Sequence, residues 1–200
     1  QEEEVLFLDA GSLWGMDIYA SEREIRRLLG DPEARVLSIG PAGENLVSFA
    51  SLSNDFSRNA ARGGVGAVMG SKNVKALAVK GTKDIRFFDA KGFRQSVKKA
   101  KEVIFKNPWV ADQRKQGTPR AVFPVNENGI MPVSNFTRGK MEGIEPLLPV
   151  ALESYTVKNL SCGDCPVACS KGFKQGRVEL EGPEYETIGL FGPNLGITDP

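Results

Sequence analysis

Two hundred residues with 26 basic and 25 acidic side chains leave a net charge of +1, which gives no reason to expect nucleic acid or an anionic membrane surface as partner. Hydrophobic residues at 40% and charged ones at 26% suit a globular chain with a sizeable core, and no apolar run approaches the roughly 18 residues of a membrane-spanning helix. The opening QEEEVLFLDAG has neither a basic n-region nor an apolar h-region and carries no initiator methionine, so the chain reads as soluble, cytoplasmic and cut from a longer protein.

In chain order, VLFL at 5–8 predicts a buried strand. The capping box Ser21-Glu-Arg-Glu24 predicts a helix through Ile25, Leu28 and Leu29 that ends at Gly30. RVLSI at 35–39, stopped by Gly40-Pro41, predicts a second strand; residues 45–52 form a further apolar segment, and VKALAV at 74–79, ended by Gly81, predicts another strand. Beyond residue 82 the pattern changes. From Asp89, the residues Phe93, Val97, Ala100 and Ile104 recur at helical spacing with basic residues on the other faces through Lys106, which predicts an amphipathic scaffold helix and a boundary near 82–88. Residues 107–150 are rich in Pro, Gly and Asn, with NENG at 126–129 as a turn signal, and read as a long irregular segment.

The stretch RNAARGGVGAVMGSK at 58–72 places four glycines, two arginines and a lysine ahead of a strand. Such a segment can bring backbone N–H groups and guanidinium forks to a phosphate. It is no Walker A loop, because Ser71-Lys72 inverts the required order, and no dinucleotide fingerprint, because Met69 stands where the third glycine belongs. The competing use is a close helix–sheet contact: Gly66 and Gly70, four residues apart, would line one face so that the backbones can touch.

All three cysteines lie in SCGDCPVACS at 161–170, an odd number bunched within eight residues, which argues against an extracellular disulfide framework. Cys162, Cys165 and Cys169 could hold zinc or an iron–sulfur cluster. Zinc wants a fourth Cys or His, and this chain has no histidine and no fourth cysteine. A cubane tolerates three ligands from one turn and a fourth from a remote segment, and ligand supply therefore favours iron–sulfur. Gly163 and Pro166 suit a tight turn around it. Further on, Glu179, Glu181, Glu184 and Glu186 read without other information as a solvated acidic strand and turn.

The succession IGPAGENL at 39–46, the segment 58–72, the cysteine motif and EGPEYE at 181–186 resembles the aldehyde ferredoxin oxidoreductase family in order and spacing. PVSNF at 132–136 and NENG at 126–129 resemble a family segment too. The resemblance runs from about Asp9 onward. It implies an α+β fold, in which residues 1–86 are the C-terminal half of a strand-rich, pterin-cradling domain and 87–200 begin a mainly helical domain.

It also implies a tungsten or molybdenum bis-pterin, a magnesium ion bridging the pterin phosphates, and a 4Fe–4S cluster. Cys162, Cys165 and Cys169 would be cluster ligands, the fourth lying further along a longer chain. Arg58, Asn59, Ala60, Arg62, Gly63 and Gly64 would line the pterin phosphates, with the Asn59 carbonyl at the magnesium position. The family often has Ala at 59 and Gly at 61, where this chain has Asn59 and Ala61, and Ala61 would not serve if that position needed a positive φ. Glu186, with Tyr185 beside it, would be the carboxylate near the metal that moves a proton during aldehyde oxidation. The implied partners are a small aldehyde and ferredoxin or an electron-transfer subunit; homo-oligomer formation stays open. A related low-potential reductase acting on an aromatic acyl-CoA thioester, and a non-enzymatic iron–sulfur or zinc module, are the alternatives.

Overall fold

The computed structural model describes residues 5–199. It divides them into two compact units, one ending at Ile85 and the other beginning at Arg86. The architecture is α+β, with one antiparallel sheet in each unit.

In the first unit, β1 (Arg35–Ser38), β2 (Leu52–Asn54), β3 (Arg58–Ala60) and β4 (Ala76–Val79) form a four-stranded sheet in the order β3-β2-β1-β4. Val36 and Ser38 of β1 are buried while Arg35 is exposed, the period-2 alternation of a strand with one covered face. The cover is helix α1 (Ile18–Leu29). Ile25 meets Val36 and Leu13, with Met16 and Ala76 packed around them. Burying each of the larger side chains contributes about 1.5–3 kcal/mol.

Helix α1 starts one turn earlier than its capping box predicts. Asp17 is the N-cap, accepting from the Ala20 N–H at 2.8 Å, and Gly30 closes the helix with a φ of 62°. Ser21 is consequently buried inside the helix, and Glu24 turns outward to Arg27 at 2.6 Å. The segment at 5–8 forms no strand among the described residues; its side chains are exposed and nothing pairs with it. Two short helices, α2 (Pro41–Glu44) and α3 (Val65–Ser71), pack together beside the sheet.

The second unit opens with α4 (Ala90–Lys106), capped by Asp89, whose carboxylate accepts from Gly92 N–H at 2.9 Å. No residue of α4 is fully buried: Val97 and Ile104 of its apolar stripe are half-buried, and Phe93 stacks on Phe87 with ring centroids 4.2 Å apart. The segment predicted to be irregular is more helical than that. Asn107 caps α5 (Pro108–Gln116), where Pro108 occupies the first turn as a helix starter. Helices α6 (Val122–Glu127) and α7 (Pro149–Leu152) follow, and NENG forms the end of α6, with Gly129 at a φ of 70°.

Val122, Met131, Val133, Ile144, Leu147, Leu152 and Ile188 make the core of this unit. Against it lies a three-stranded antiparallel sheet of β5 (Thr156–Leu160), β6 (Ser170–Gln175) and β7 (Val178–Glu181), followed by α8 (Tyr185–Phe191). That sheet has no clear sequence signal: β6, SKGFKQ, carries a single large apolar residue, Phe173. Among the described residues no helix is long and apolar enough to cross a membrane.

Candidate functional site

Two separate places carry the predicted site residues. In the first unit, β3 holds Arg58, Asn59 and Ala60 as the edge strand of the sheet. Asn59 is opposite Ser53 in register, accepts its hydroxyl at 2.6 Å and donates to the Ser57 carbonyl at 3.2 Å. The side chain at 59 thus rivets β3 to its neighbour, while its carbonyl is free of any role that depends on side-chain identity. Ala61 has no positive φ, so the family's glycine at that position is not required by the backbone here.

The next two residues do need glycine. Gly63 and Gly64 have φ values of 86° and 66°, a double left-handed turn that swings the chain from β3 into α3. Arg62 lies exposed just before it, with no carboxylate partner among the described residues. The two uses weighed for the glycine-rich stretch therefore fall on different residues. A Cβ on Gly66 would lie 2.5 Å from the Ser51 carbonyl oxygen, and one on Gly70 would lie 2.0 Å from that of Gly43. These two are consumed by backbone contact, Gly70 with α2 and Gly66 with the loop before β2, rather than by contact with a strand of the sheet.

In the second unit, all three cysteines are free thiols. Cys162 is exposed and Cys165 and Cys169 half-buried; the Cys165 N–H donates to the Cys162 carbonyl at 3.1 Å, closing the first turn. The loop reverses through Asp164 and Ala168, at φ values of 55° and 51°, rather than through Gly163. Burial pushes the Cys169 thiol above its ordinary range, the Glu184 carboxylate adds to that, and Cys165 and Cys162 contribute more weakly. These causes act on the Cys169 thiolate, opposed by a backbone hydrogen bond, so at this position the bare anion is disfavoured. No three His, Cys, Asp or Glu side chains converge as for a single metal ion among the described residues. A cubane spreads its thiolates over separate irons and needs no such convergence. The Ser170 hydroxyl, next in sequence to Cys169, is buried without a hydrogen-bond partner among the described residues, a donor in want of an acceptor.

Several residues around this loop escape sequence reasoning. Lys171, only 4% exposed, donates from Nζ to the Arg114 carbonyl at 2.6 Å and to Asn159 Oδ1 at 2.7 Å. Burial pushes its ammonium below the ordinary lysine value, opposed by the negative charge of Cys169 and Glu184. The Arg114 guanidinium donates to the Pro166 carbonyl at 3.1 Å, between the second and third cysteines. Gly117, at a φ of 71°, ends α5 so close to the loop that a Cβ there would lie 2.7 Å from the Cys169 carbonyl oxygen. The one available signal is a lysine two residues after the third cysteine, which spacing alone does not distinguish from a solvated one.

The EGPEYE segment runs from β7 into α8. Thr118 ties its start: the hydroxyl donates to the Glu184 carboxylate and accepts from the Tyr185 N–H, the latter at 2.9 Å. Tyr185 is half-buried, and burial followed by the nearby Glu186 raises its phenol above the usual range. Glu186 stands exposed on the first turn of α8. Glu179 belongs to the solvated strand: its ion pair with Lys158 at 2.8 Å holds its carboxyl below the ordinary value. An apolar groove of about 480 Å³ lies between β6, β7 and α8, lined by Phe173, Leu180, Ile188 and Phe191 among others, and includes none of the predicted site residues.

Comparison with known proteins bears on both places. The family model described as aldehyde ferredoxin oxidoreductase, N-terminal domain, matches residues 1–81, and that for domains 2 & 3 matches residues 95–200. The tungsten-containing aldehyde ferredoxin oxidoreductase of Pyrococcus furiosus is 40% identical over all of this chain. An aliphatic sulfonate oxidoreductase, WOR-like subunit, of the same organism is 29% identical over 96% of the chain. The chain spans about a third of the length of these relatives, 33% and 34%. Among solved structures, the active-site complex of benzoyl coenzyme A reductase with 1,5-dienoyl-CoA superposes on 94% of this chain and 31% of its own, with a TM-score of 0.73 and 24% identity, a likeness of fold. By the match of its residues 95–200 and of 1–81 before them, the chain belongs to the aldehyde ferredoxin oxidoreductase family.

Proposed function

We propose that this chain is part of a tungsten-pterin enzyme that oxidises aldehydes to carboxylates and delivers the electrons, through a 4Fe–4S cluster, to ferredoxin or a partner subunit. The observation that carries the reading is the loop of three free thiols turned by two left-handed residues, in a chain 40% identical to an enzyme named for tungsten and aldehyde. Residues 1–86 are then the later part of a pterin-binding domain, and 87–200 the beginning of a helical one that holds the cluster.

The residues present fit both groups. The donor set Cys162, Cys165 and Cys169 suits a cubane completed from elsewhere in a longer chain, and the orphaned Ser170 hydroxyl offers a donor nearby. Residues 58–64 suit phosphate and its magnesium: Arg62 is exposed, with no carboxylate partner among the described residues, and the turn at Gly63 and Gly64 lays the backbone open. The bound tungsten-pterin would supply the oxidation itself, an aldehyde and water giving a carboxylate, three protons and two electrons.

The chain's own contributions are positional and electrostatic. Arg58 and Arg62 balance phosphate charge, and Asn59 locks β3 so that its carbonyl keeps its place. Glu186 is the proton acceptor, its carboxylate exposed on α8, and Tyr185 orients that first turn through Thr118. Reduction of an aromatic acyl-CoA thioester is the second reading, favoured by the fold likeness to benzoyl coenzyme A reductase; identity of 24% against 40% puts it behind aldehyde oxidation.

The test is metal analysis of the full-length protein purified without oxygen. About four irons and about one tungsten per chain are expected for one cubane and one pterin site. Zinc near one per chain, with neither iron nor tungsten, overturns the reading in favour of a structural cysteine knot. In the same assay R62A lowers tungsten and leaves iron intact; equal loss of both removes residues 58–64 from the pterin site.

A further inference from the structure

The first unit and the second each bury a lysine, and the two are satisfied differently. Lys75 faces a carboxylate, Glu44, at 2.5 Å. Lys171 has only neutral acceptors, the Arg114 carbonyl and the Asn159 amide oxygen, and no carboxylate within ion-pair distance among the described residues. A buried ammonium with no counter-ion is costly unless a negative group compensates it. The negative group on hand is the cysteine loop: Lys171 lies two residues beyond Cys169, and Gly117 abuts both, since a Cβ there would lie 2.7 Å from the Cys169 carbonyl oxygen and 3.3 Å from Lys171 Cε, while Thr118 beside it holds the Glu184 carboxylate.

The placement is rigid. The backbone of Lys171 is held in β6 opposite Asn159, and its carbonyl accepts from the Gly182 N–H at 2.9 Å. Its Nζ binds the carbonyl end of α5, where helix polarity favours a cation, and the same helix grips the loop through Arg114 and Pro166. Gly117 leaves no slack, since a Cβ there would lie 3.3 Å from Lys171 Cε.

We infer that Lys171 is a fixed positive charge that raises the reduction potential of the cluster on Cys162, Cys165 and Cys169, with Glu184 opposing it. The inference rests on the cluster reading above. Reduction adds one electron to the cluster and no proton or bond need move, so a nearby cation stabilises the reduced form more than the oxidised one. A nearby carboxylate does the reverse. Lys171 is therefore a positioning and tuning residue, and the sign of its effect is fixed in advance.

The experiment is a redox titration of the full-length enzyme, purified without oxygen, followed by the electron paramagnetic resonance of the reduced cluster, with iron counted on each sample. K171M is expected to keep its iron and to become harder to reduce, the oxidised-to-reduced ratio at a given potential rising about tenfold, equivalent to about 59 mV for one electron. K171R is expected to stay near the parent. E184Q is expected to move the opposite way, towards easier reduction. Opposite shifts from two neighbouring side chains are not what loosened packing produces.

An unmoved midpoint in an iron-replete K171M overturns the inference, as do shifts of the same sign in K171M and E184Q. Where K171M folds poorly, K171Q carries the same test, because its amide keeps N–H donors at the end of the side chain without the charge. Loss of iron from both neutral variants assigns Lys171 a structural role and overturns the tuning role. A parent protein without iron removes the cluster reading itself, a result distinct from any of these.

Discussion

Replacing Lys75 by methionine should unseat the first unit. Lys75 is fully buried, its Nζ donating to Glu44 Oε1 at 2.5 Å and to the Met16 carbonyl at 2.9 Å, while Glu44 Oε2 accepts from the Gly15 N–H at 2.8 Å. Four segments meet there: the loop before α1, α2, the entrance to β4 and, through an Ile39 N–H to Lys75 carbonyl bond of 3.1 Å, the end of β1. K75M keeps the volume and removes the charge, leaving Glu44, 4% exposed, with one hydrogen bond and no counter-ion. Breaking a buried pair from one side costs about 3–5 kcal/mol. Hydrogen exchange at the Ile39 amide reads this locally, and its protection should fall by about a hundredfold to several thousandfold, at about 1.4 kcal/mol per tenfold. The double variant K75M/E44L removes the stranded charge and should cost less than the sum of the single variants by at least about 2 kcal/mol. A K75M loss below about 1 kcal/mol, or strict additivity, would refute the claim that the pair acts as a unit.

Two more outcomes follow from packing and from charge. Gly70→Ala gains up to about 1 kcal/mol of helix propensity but drives a Cβ to 2.0 Å from the Gly43 carbonyl oxygen. Backbone faces backbone, so net destabilisation of about 1–3 kcal/mol is expected, with lowered exchange protection across α2 and α3; protection equal to the parent would show that the contact yields freely. Glu22, 1% exposed, is held above the usual carboxylate range by burial, against the Phe56 N–H and the Arg26 guanidinium. A raised folded-state pKa contributes stability that is full below the unfolded value and lost as pH rises through the folded one. Stability of the parent relative to E22Q, read from exchange at the Phe56 amide, should therefore fall as pH rises above the ordinary carboxylate value; a difference that is flat or grows with pH contradicts the assignment.

What is legible in the sequence, and what is hidden there, follows the range of the interactions involved. Strands β1 and β4 and helix α4 are readable because their signals are local: alternation bounded by Gly, or a 3.6-residue stripe behind an Asp cap. The start of α1 is ambiguous because two caps compete within five residues, and the buried role of Ser21 and Glu22 that decides between them is set by distant partners such as Phe56. The sheet β5-β6-β7 is not visible because Lys171 and Gly172 are buried in β6 by neighbours nine or more residues away, not by apolarity of their own. In the site, spacing alone finds the three cysteines. It does not find Lys171, Arg114, Thr118 and Glu184, since each is brought to the loop by tertiary contacts across 12 to 67 positions.

The glycine-rich stretch shows how the same letters divide into separate jobs once backbone geometry is known. Gly66 and Gly70 are small because carbonyl groups of neighbouring segments occupy the space of a side chain, and any larger residue there displaces backbone. A Cβ added to Gly63 would have nothing within 4 Å, so that glycine is required only by its φ of 86°, while Gly64 needs both its φ of 66° and the room beside the Ser48 carbonyl. A ligand cannot share the face that α2 already fills, so α3 contributes no glycine to phosphate binding through Gly66 or Gly70. The proposed phosphate contact is thus left to residues 58–64, the part of the stretch that the resemblance implies, where the turn is open and Arg62 has no carboxylate partner among the described residues. Within that segment, Gly63 is the position at which a new side chain would meet solvent or ligand rather than protein. G63A should thus be tolerated in volume and strained in conformation, the reverse of G70A.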